Sequence, residues 1–217
     1  RFSLLDLPVL QCWPEDGGRF ITLPLVYSRN PDTGKRNCGM YRMQVYDDST
    51  TGMHWQTHKQ GAEHYRRLLK EGKVTKMPVS VAIGADPCAM YSAILPLPPD
   101  LDEMMIAGFL RSKPVEMVKC ETNDLEVPAD AEIILEGEIC PDYKVEEGPF
   151  GEYTGYRTSP RDFRVTFRVN CITYRNNATM TISNMGVPQD EGQLLRSFSL
   201  GLELEKLLKS QGIPVTG

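Results

Sequence analysis

Residues 131–139 read AEIILEGEI, and residues 163–173 read FRVTFRVNCIT. In both stretches apolar side chains run together or alternate with polar ones, which is the pattern of a β-strand. The same pattern recurs outward from them, separated by turn residues, at residues 20–27, 40–46, 77–84, 115–120 and 178–183. Six or seven strands with only a few helices predict a mainly β fold with added helices (α+β), arranged as a closed or partly closed antiparallel barrel.

Helices are predicted at four places. Residues 57–70 carry helix formers, and Thr57 with Gln60 fits a capping box at their start. Residues 86–93 predict a short helix, and residues 100–111 predict a helix with Asp100 at its cap. Residues 191–210 predict one long amphipathic helix. Its apolar stripe comprises Leu194, Leu195, Phe198, Leu202 and Leu207. We expect this helix to begin a second unit and its exposed stripe to need a partner.

The composition is that of a globular protein with small-molecule partners. The 217 residues are 41% hydrophobic and 24% charged, and a net charge of -5 argues against a nucleic-acid or membrane surface. The six cysteines form no Cys-x-x-Cys pair, which argues against a zinc site and indicates reduced thiols in a cytoplasmic protein. No membrane helix or signal peptide is recognised. Because the chain starts at Arg1 rather than Met, we expect a piece of a longer protein.

The stretch EGPFGE, residues 147–152, lies between the strands predicted at residues 131–139 and 163–173. It contains two carboxylates five residues apart. Its glycines and proline forbid a regular helix and force a tight turn, so both carboxylates can be aimed into one small volume. A rigid loop of this kind can present a general acid. The alternative is a solvated turn, which is the commoner origin of such a pair.

Asn37 and Arg42 form a second candidate site. At five positions apart they would lie on opposite faces of a strand, unless a bulge re-aims one of them. Arg42 could then clamp a carboxylate or phosphate through its planar guanidinium. The alternative is a turn asparagine followed by an exposed cation on a strand.

Three further residues are candidate metal ligands. His54 and His58 are four residues apart beside a Trp, and we expect at most one of them to bind a metal, because this segment reads as extended. A hydrogen-bonded, partly exposed histidine is the alternative. Glu103 fits a capping box with Asp100, and its alternative role is a hard oxygen ligand for Mn or Mg.

Five phrases occur in an order that resembles the central domain of the UbiD-type decarboxylases. They are CWPEDGG at 12–18, NCGMYRMQ at 37–44, MHWQTHK at 53–59, LPPDLDE at 97–103 and EGPFGE at 147–152. The resemblance spans essentially the whole chain. It implies a split β-barrel of the flavin-reductase-like type over residues 1–186, followed by a C-terminal connecting helix over residues 187–217. It also implies reversible decarboxylation of an aromatic or α,β-unsaturated acid with prenylated FMN and a divalent metal.

The resemblance also implies roles for individual residues. Asn37 and Glu103 would bind Mn²⁺ or Mg²⁺ at the flavin phosphate, with His58 as a weaker third ligand, and K⁺ would be an additional ion. Arg42 would orient the substrate carboxylate and stabilise Glu147, while Glu152 would deliver a proton. Phe150 or Tyr153 would favour the neutral form of Glu152 by desolvation. The expected cofactor contacts are Met40, Tyr41, Arg42, His54, Trp55, Gln56, Lys59 and Gln60, and positions 59 and 60 depart from the family pattern.

The same resemblance implies partners and leaves alternatives open. A flavin prenyltransferase would supply the cofactor, and the full-length protein would form a homo-oligomer. Hydroxybenzoate-like, polyprenylated and cinnamate-like acids all remain open as substrates. One alternative is a flavin-binding module without turnover in this shorter form. Another is a plain split-barrel domain whose terminal helix binds a partner protein.

Overall fold

The computed structural model describes residues 3–56, 59–70, 76–186 and 189–215. These ranges contain a short 3-10 helix (Leu4–Asp6) and four α-helices: α1 (Gln60–Lys70), α2 (Pro87–Ser92), α3 (Glu103–Leu110) and α4 (Glu191–Ser210). The strands are β1 (Phe20–Ile21), β2 (Leu25–Arg29), β3 (Arg36–Met40), β4 (Met43–Gln44), β5 (Thr50–Met53), β6 (Met77–Ile83), β7 (Met117–Lys119), β8 (Glu126–Pro128), β9 (Ile133–Glu147), β10 (Phe150–Gly151), β11 (Arg157–Thr158) and β12 (Arg161–Tyr174).

The central sheet is antiparallel, with strand order β3-β2-β6-β9-β12-β5. Its longest pair is β9 with β12, whose register runs from Ile133 opposite Tyr174 to Glu147 opposite Arg161, with irregularities along the way. A bridge between Val45 and Thr51 continues the hydrogen bonding beyond β5 toward the β1–β4 pair. The predicted α+β class is therefore confirmed. Within the described residues the six-stranded sheet is open at β3 and β5 rather than closed into a barrel.

Alternating side chains of the sheet divide the core into two clusters. Val26 of β2 faces one cluster together with Val81, Leu135 and Phe167. Tyr27, the next residue, faces the other cluster, which packs against α2 and α3. A fully buried side chain of this size contributes about 1.5–3 kcal/mol. The sheet is therefore covered on both faces, and the strand ends that carry the candidate site are held rigidly.

Several local predictions need correction. The strand expected at residues 20–27 is broken into β1 and β2, and the one expected at 40–46 is interrupted at Tyr41 and Arg42. Residues 178–183 form no strand, and the helix expected from Asp100 begins at Glu103. Its N-cap is Asp102, whose side chain accepts a hydrogen bond from the amide of Met104.

Asp100 has a different role. Its φ of 63° is left-handed, and its side chain accepts a hydrogen bond of 2.8 Å from Asn30 Nδ2. The capping box proposed for Asp100 and Glu103 is therefore wrong. Thr57, the expected cap of α1, lies outside the described residues, and α1 itself begins at Gln60.

The long C-terminal helix is confirmed as α4, and it docks through its polar side. Asp190 caps it by accepting from the amide of Gln193, and buried Ser199 shares a 2.9 Å hydrogen bond with the hydroxyl of Tyr91. None of the helices in the described ranges is long and apolar enough to cross a bilayer. The predicted apolar stripe faces away from the rest of the protein. Its five residues are 42–63% exposed, namely Leu194, Leu195, Phe198, Leu202 and Leu207.

Candidate active site

The loop that carries the two candidate carboxylates follows the end of β9. Glu147 is the last residue of β9, the Gly148–Pro149 peptide bond is cis, and the hairpin of β10 and β11 follows. Glu152 comes directly after β10, and its amide donates a hydrogen bond of 2.9 Å to the carbonyl of Tyr156. Both carboxylates are thus presented from strand ends rather than from a free turn.

Three buried or closely packed residues hold this loop, and we call Asp16, Gly17 and Gln44 the loop clamp. Gln44 Oε1 accepts from the amide of Gly148 at 2.8 Å, and Gln44 Nε2 donates to the carbonyl of Gly17 at 2.9 Å. Asp16 Oδ1 accepts from the amide of Gly151 at 2.9 Å. A Cβ atom at Gly17 would overlap the carbonyl group of Gly148. The two backbones can therefore approach only because residue 17 is glycine.

Replacing Gly17 with alanine is expected to reduce the free energy of unfolding by about 1–3 kcal/mol, since the added methyl must displace the Gly148 backbone. Urea unfolding of the variant and the native protein measures the difference. Gly201→Ala is the matched control, because a Cβ at this α4 position meets nothing within 4 Å. Alanine there should leave stability unchanged or raise it by up to about 1 kcal/mol. Equal effects of the two substitutions would contradict the clamp.

Arg42 contacts both candidate carboxylates. Its Nε donates to Glu147 Oε1 at 2.9 Å and its Nη2 to Glu147 Oε2 at 3.2 Å, while its Nη1 pairs with Glu152. The guanidinium also lies 4.4 Å from the centre of the Phe150 ring. The interruption between β3 and β4 re-aims Arg42 toward the loop. Since only 8% of its side chain is exposed, the alternative of an exposed strand cation is excluded.

Glu147 is deeply buried and fully paired. Its side chain is 1% exposed, and its Oε2 accepts from His54 Nδ1 at 2.6 Å in addition to the bonds from Arg42. Burial acts to raise the pKa of Glu147, but the hydrogen bonds from His54 and Arg42 outweigh it and lower the pKa from 4.5 to about 2. Glu147 is therefore a permanent anion that fixes the orientation of Arg42.

This pairing predicts an acid-sensitive contribution to stability. The pKa of Glu147 is lower in the folded protein, so its contribution is complete above the ordinary value of 4.5 and is lost as pH falls to about 2. The shift corresponds to about 3 kcal/mol. Urea unfolding at a series of pH values tests this. Glu147→Gln should be less stable at neutral pH and should lack this part of the pH dependence. If the stability of the variant and of the native protein changed with pH in the same way, Glu147 would not be the responsible group.

The candidate metal ligands lie at the edge of the sheet. Glu103, at the start of α3, is buried, and its Oε2 accepts from the amide of Cys38 at 2.8 Å. Asn37 of β3 precedes Cys38, and its buried Nδ2 has no hydrogen-bond partner among the described residues. Burial raises the pKa of Glu103 to about 7, although the amides of Cys38 and Glu103 act against it. His58 lies outside the described residues.

In the part of the chain that the structure describes, no cluster of three or more His, Cys, Asp or Glu side chains could hold a metal ion. Asn37 and Glu103 offer the kind of hard oxygen atom that Mn²⁺ and Mg²⁺ prefer. A half-turn of the Asn37 amide exchanges its nitrogen and oxygen, so its unsatisfied end can be the carbonyl oxygen. Both residues are thus compatible with a metal.

A cavity of about 420 Å³ opens beside Arg42 and Glu152. Its volume falls in the range of about 300–1,000 Å³ that small-molecule sites occupy. Six of the eight expected cofactor contacts line it, namely Met40, Tyr41, Arg42, His54, Gln56 and Lys59. A larger cavity of about 760 Å³ elsewhere is lined by none of the predicted site residues.

The other two expected contacts do not line this cavity. Trp55 is buried in the core, with ring centroids 6.3 Å from Tyr41 and 5.6 Å from Tyr65. Gln60 begins α1. Trp55 therefore supports the wall from behind, through Tyr41, rather than facing a ligand.

The two aromatic residues expected around Glu152 line the same cavity, and each also contacts an arginine. Phe150 packs between Arg42 and Phe20, whose ring centre is 4.6 Å away. The ring of Tyr153 lies 5.0 Å from the guanidinium carbon of Arg196. Glu152 keeps 25% of its side chain exposed, so it lies where the cavity meets solvent.

Sequence reasoning missed four contributors to the site. The loop clamp residues Asp16 and Gln44 lie within the family phrases but had no predicted role, and the bond from His54 to Glu147 was not predicted. The fourth is Arg196, which lines the cavity from α4. Although Lys59 is exposed as a whole, desolvation at the cavity wall lowers its pKa, and the positive charge of Arg196 adds to this effect. The sequence signal that could have identified Arg196 is its position on the polar side of the amphipathic helix α4.

Known proteins share both sequence and fold with this chain. A family model described as the UbiD 3-octaprenyl-4-hydroxybenzoate carboxy-lyase Rift-related domain matches residues 1–188. An uncharacterized protein of Archaeoglobus fulgidus is 51% identical over 189 residues, which cover 87% of this chain and 39% of that protein.

Two solved structures resemble the fold closely. An evolved dimeric form of the UbiD-class enzyme HmfF from Pelotomaculum thermopropionicum, in complex with prFMN, has a TM-score of 0.83 and 32% identity, covering 92% of this chain and 45% of that one. The closed form of vanillic acid decarboxylase from Sedimentibacter hydroxybenzoicus has a TM-score of 0.84 and 30% identity, covering 90% and 42%. This chain spans less than half the length of each of these proteins.

Proposed function

Because this chain belongs to the UbiD family of carboxy-lyases, we propose that it is the cofactor-binding part of a decarboxylase. The reaction is the reversible, non-oxidative decarboxylation of an aromatic or α,β-unsaturated carboxylic acid, with prenylated FMN and a divalent metal. One observation carries the proposal: Arg42 joins Glu147 and Glu152 at the wall of a cavity that small molecules can enter. A general acid, an anion-binding group and a ligand cavity thus occur together.

Prenylated FMN would bind in the 420 Å³ cavity, against the backbone of residues 39–42 and the side chains of His54, Gln56 and Lys59. When bound, it supplies the electron sink for the loss of carbon dioxide. Asn37 and Glu103 would hold Mn²⁺ or Mg²⁺, with His58 as a third ligand, and K⁺ remains a prediction. The unsatisfied amide of Asn37 supports this metal assignment.

Arg42 would bind the substrate carboxylate through Nη1, the nitrogen that now pairs with Glu152. Its Nε and Nη2 stay fixed on Glu147, so the guanidinium plane does not have to move. A carboxylate at Nη1 would displace Glu152 from its ion pair. The carboxyl group of Glu152 is then free to turn toward the substrate.

Glu152 would then transfer its proton to the carbon atom that has lost carbon dioxide. The bond from that carbon to the carboxylate carbon breaks, and carbon dioxide leaves without its bonding electron pair. That pair ends in the new carbon–hydrogen bond. Because Glu152 is 25% exposed, it can regain a proton from solvent before the next turnover.

A second candidate is a flavin-binding module without turnover in this shorter form. The exposure of Glu152 and of the outer face of α4 favours it, because an active site must exclude water while it reacts. Both candidates require a flavin, and they differ only in catalysis.

The test is co-expression with a flavin prenyltransferase, which we propose as the cofactor supplier. The purified protein should carry a flavin-like absorption and Mn or Mg, and it should release carbon dioxide from a panel of aromatic and unsaturated acids. A protein with flavin but no carbon dioxide release would be the binding module. A protein with neither flavin nor metal would contradict both candidates. A homo-oligomer is proposed for the full-length protein, and its oligomeric state is measured on that protein.

A further inference from the structure

Arg196 is a cavity residue for which the proposed reaction has no role. It lies on α4 and lines the same cavity as Arg42 and Glu152. Its guanidinium carbon is 5.0 Å from the ring centre of Tyr153, the residue that follows Glu152. The Ser199–Tyr91 hydrogen bond and the Asp190 cap fix α4 on either side of it. The position of Arg196 is therefore set by the fold.

The charges around the cavity leave Arg196 without a counterion. Arg42, Lys59 and Arg196 line it, but Glu152 is the one acidic residue among the described lining. Glu152 is already paired with Arg42, as is Glu147 behind it. No carboxylate of the described residues forms an ion pair with Arg196. A ligand that brings an additional negative charge would therefore be favoured at this wall.

The surroundings of Arg196 indicate which ligand atom it would meet. Its neighbour Tyr153 adjoins the proposed proton donor, whereas the proposed metal ligands Asn37 and Glu103 do not line the cavity. A guanidinium stacked on an aromatic ring keeps its N–H groups free at its edge, where they match the two oxygens of a carboxylate. The contact with Tyr153 thus places Arg196 within reach of a substrate that receives its proton from Glu152.

We propose that Arg196 binds a second carboxylate of the substrate, so that the preferred substrate is an aromatic or unsaturated dicarboxylic acid. This inference rests on the proposed function. Arg42 would bind the carboxylate that leaves as carbon dioxide, and Arg196 would bind the one that stays. Arg196 would therefore determine specificity without taking part in proton transfer.

The test compares two acids of similar shape, terephthalate with two carboxylates and 4-methylbenzoate with one. Their dissociation constants are measured by calorimetry on flavin-free protein and on holoprotein. Arg196→Gln should weaken terephthalate binding about tenfold, since a charge-assisted hydrogen bond is lost, and leave 4-methylbenzoate binding unchanged. Arg196→Lys should restore part of the loss. Arg66→Gln, which removes an arginine of α1 that pairs with Glu63, is the matched control and should change neither constant.

Three results would overturn the proposal. One is an equal loss of affinity for both acids in Arg196→Gln, and another is no loss for either. The third is a lower flavin content in Arg196→Gln, which would make Arg196 a cofactor ligand. The proposed function is contradicted by a different result, namely the absence of flavin from the native protein. The diacid preference is then still decided by the measurements on flavin-free protein.

Discussion

Glu152→Gln is expected to lower the rate of decarboxylation by a factor of about 10²–10⁴, the usual contribution of a general acid. Glutamine has the same shape and can still accept a hydrogen bond from Arg42, but it has no proton to give. Flavin and metal content should therefore stay at the native level. The measurements are carbon dioxide release under saturating substrate and the flavin absorption of the purified variant.

Glu146→Gln is the matched control for Glu152→Gln. Glu146 is an exposed acid beside Glu147 on the same strand. Its substitution should leave the rate unchanged, because its side chain does not line the cavity. Loss of flavin in Glu152→Gln would mean that Glu152 holds the cofactor, and a native rate would mean that another group delivers the proton.

Arg42→Ala is expected to reduce the free energy of unfolding by about 3–5 kcal/mol, because it leaves a buried carboxylate without its main partner. Glu147 is 1% exposed, so water cannot replace the two hydrogen bonds that Arg42 donates. The hydrogen bond from His54 remains. Urea unfolding measures the loss, and activity should disappear as well.

A double-mutant cycle separates this pairing from lost packing. In the Glu147→Gln background the charge is already absent, so adding Arg42→Ala should cost much less than it does in the native protein. The remaining cost reports the contacts of Arg42 with Glu152 and Phe150. Additive effects of the two substitutions would show that the buried ion pair does not account for the instability.

The parts of the fold that depend on local patterns could be predicted from the sequence. β9, β12 and α4 each carry their own hydrophobic period, and the structure has them near the expected positions. The start of α3 was misplaced because Asp100 and Asp102 both precede it, and either acid can cap a helix. Only the tertiary bond from Asn30 to Asp100 decides between them.

The parts of the site that depend on distant contacts could not be predicted in this way. The interruption at Tyr41 and Arg42 has no Gly or Pro to mark it, and it exists because Arg42 must reach Glu147, 105 positions away. Gln44 likewise meets Gly148 across 104 positions. No short window of sequence contains either pair. The resemblance placed Arg42 near Glu147 and Glu152, while the bond between Gln44 and Gly148 became visible only in three dimensions.

The loop clamp also bears on the order of events during biosynthesis. Asp16 and Gly151 are 135 positions apart, and Trp13 bonds to Met185 across 172 positions. The early turn can therefore meet these partners only after residue 185 has left the ribosome, and Arg196 emerges later still. Contacts of such long sequence separation form slowly. The cavity beside Arg42 and Glu152 can therefore be complete only after α4 has been synthesised.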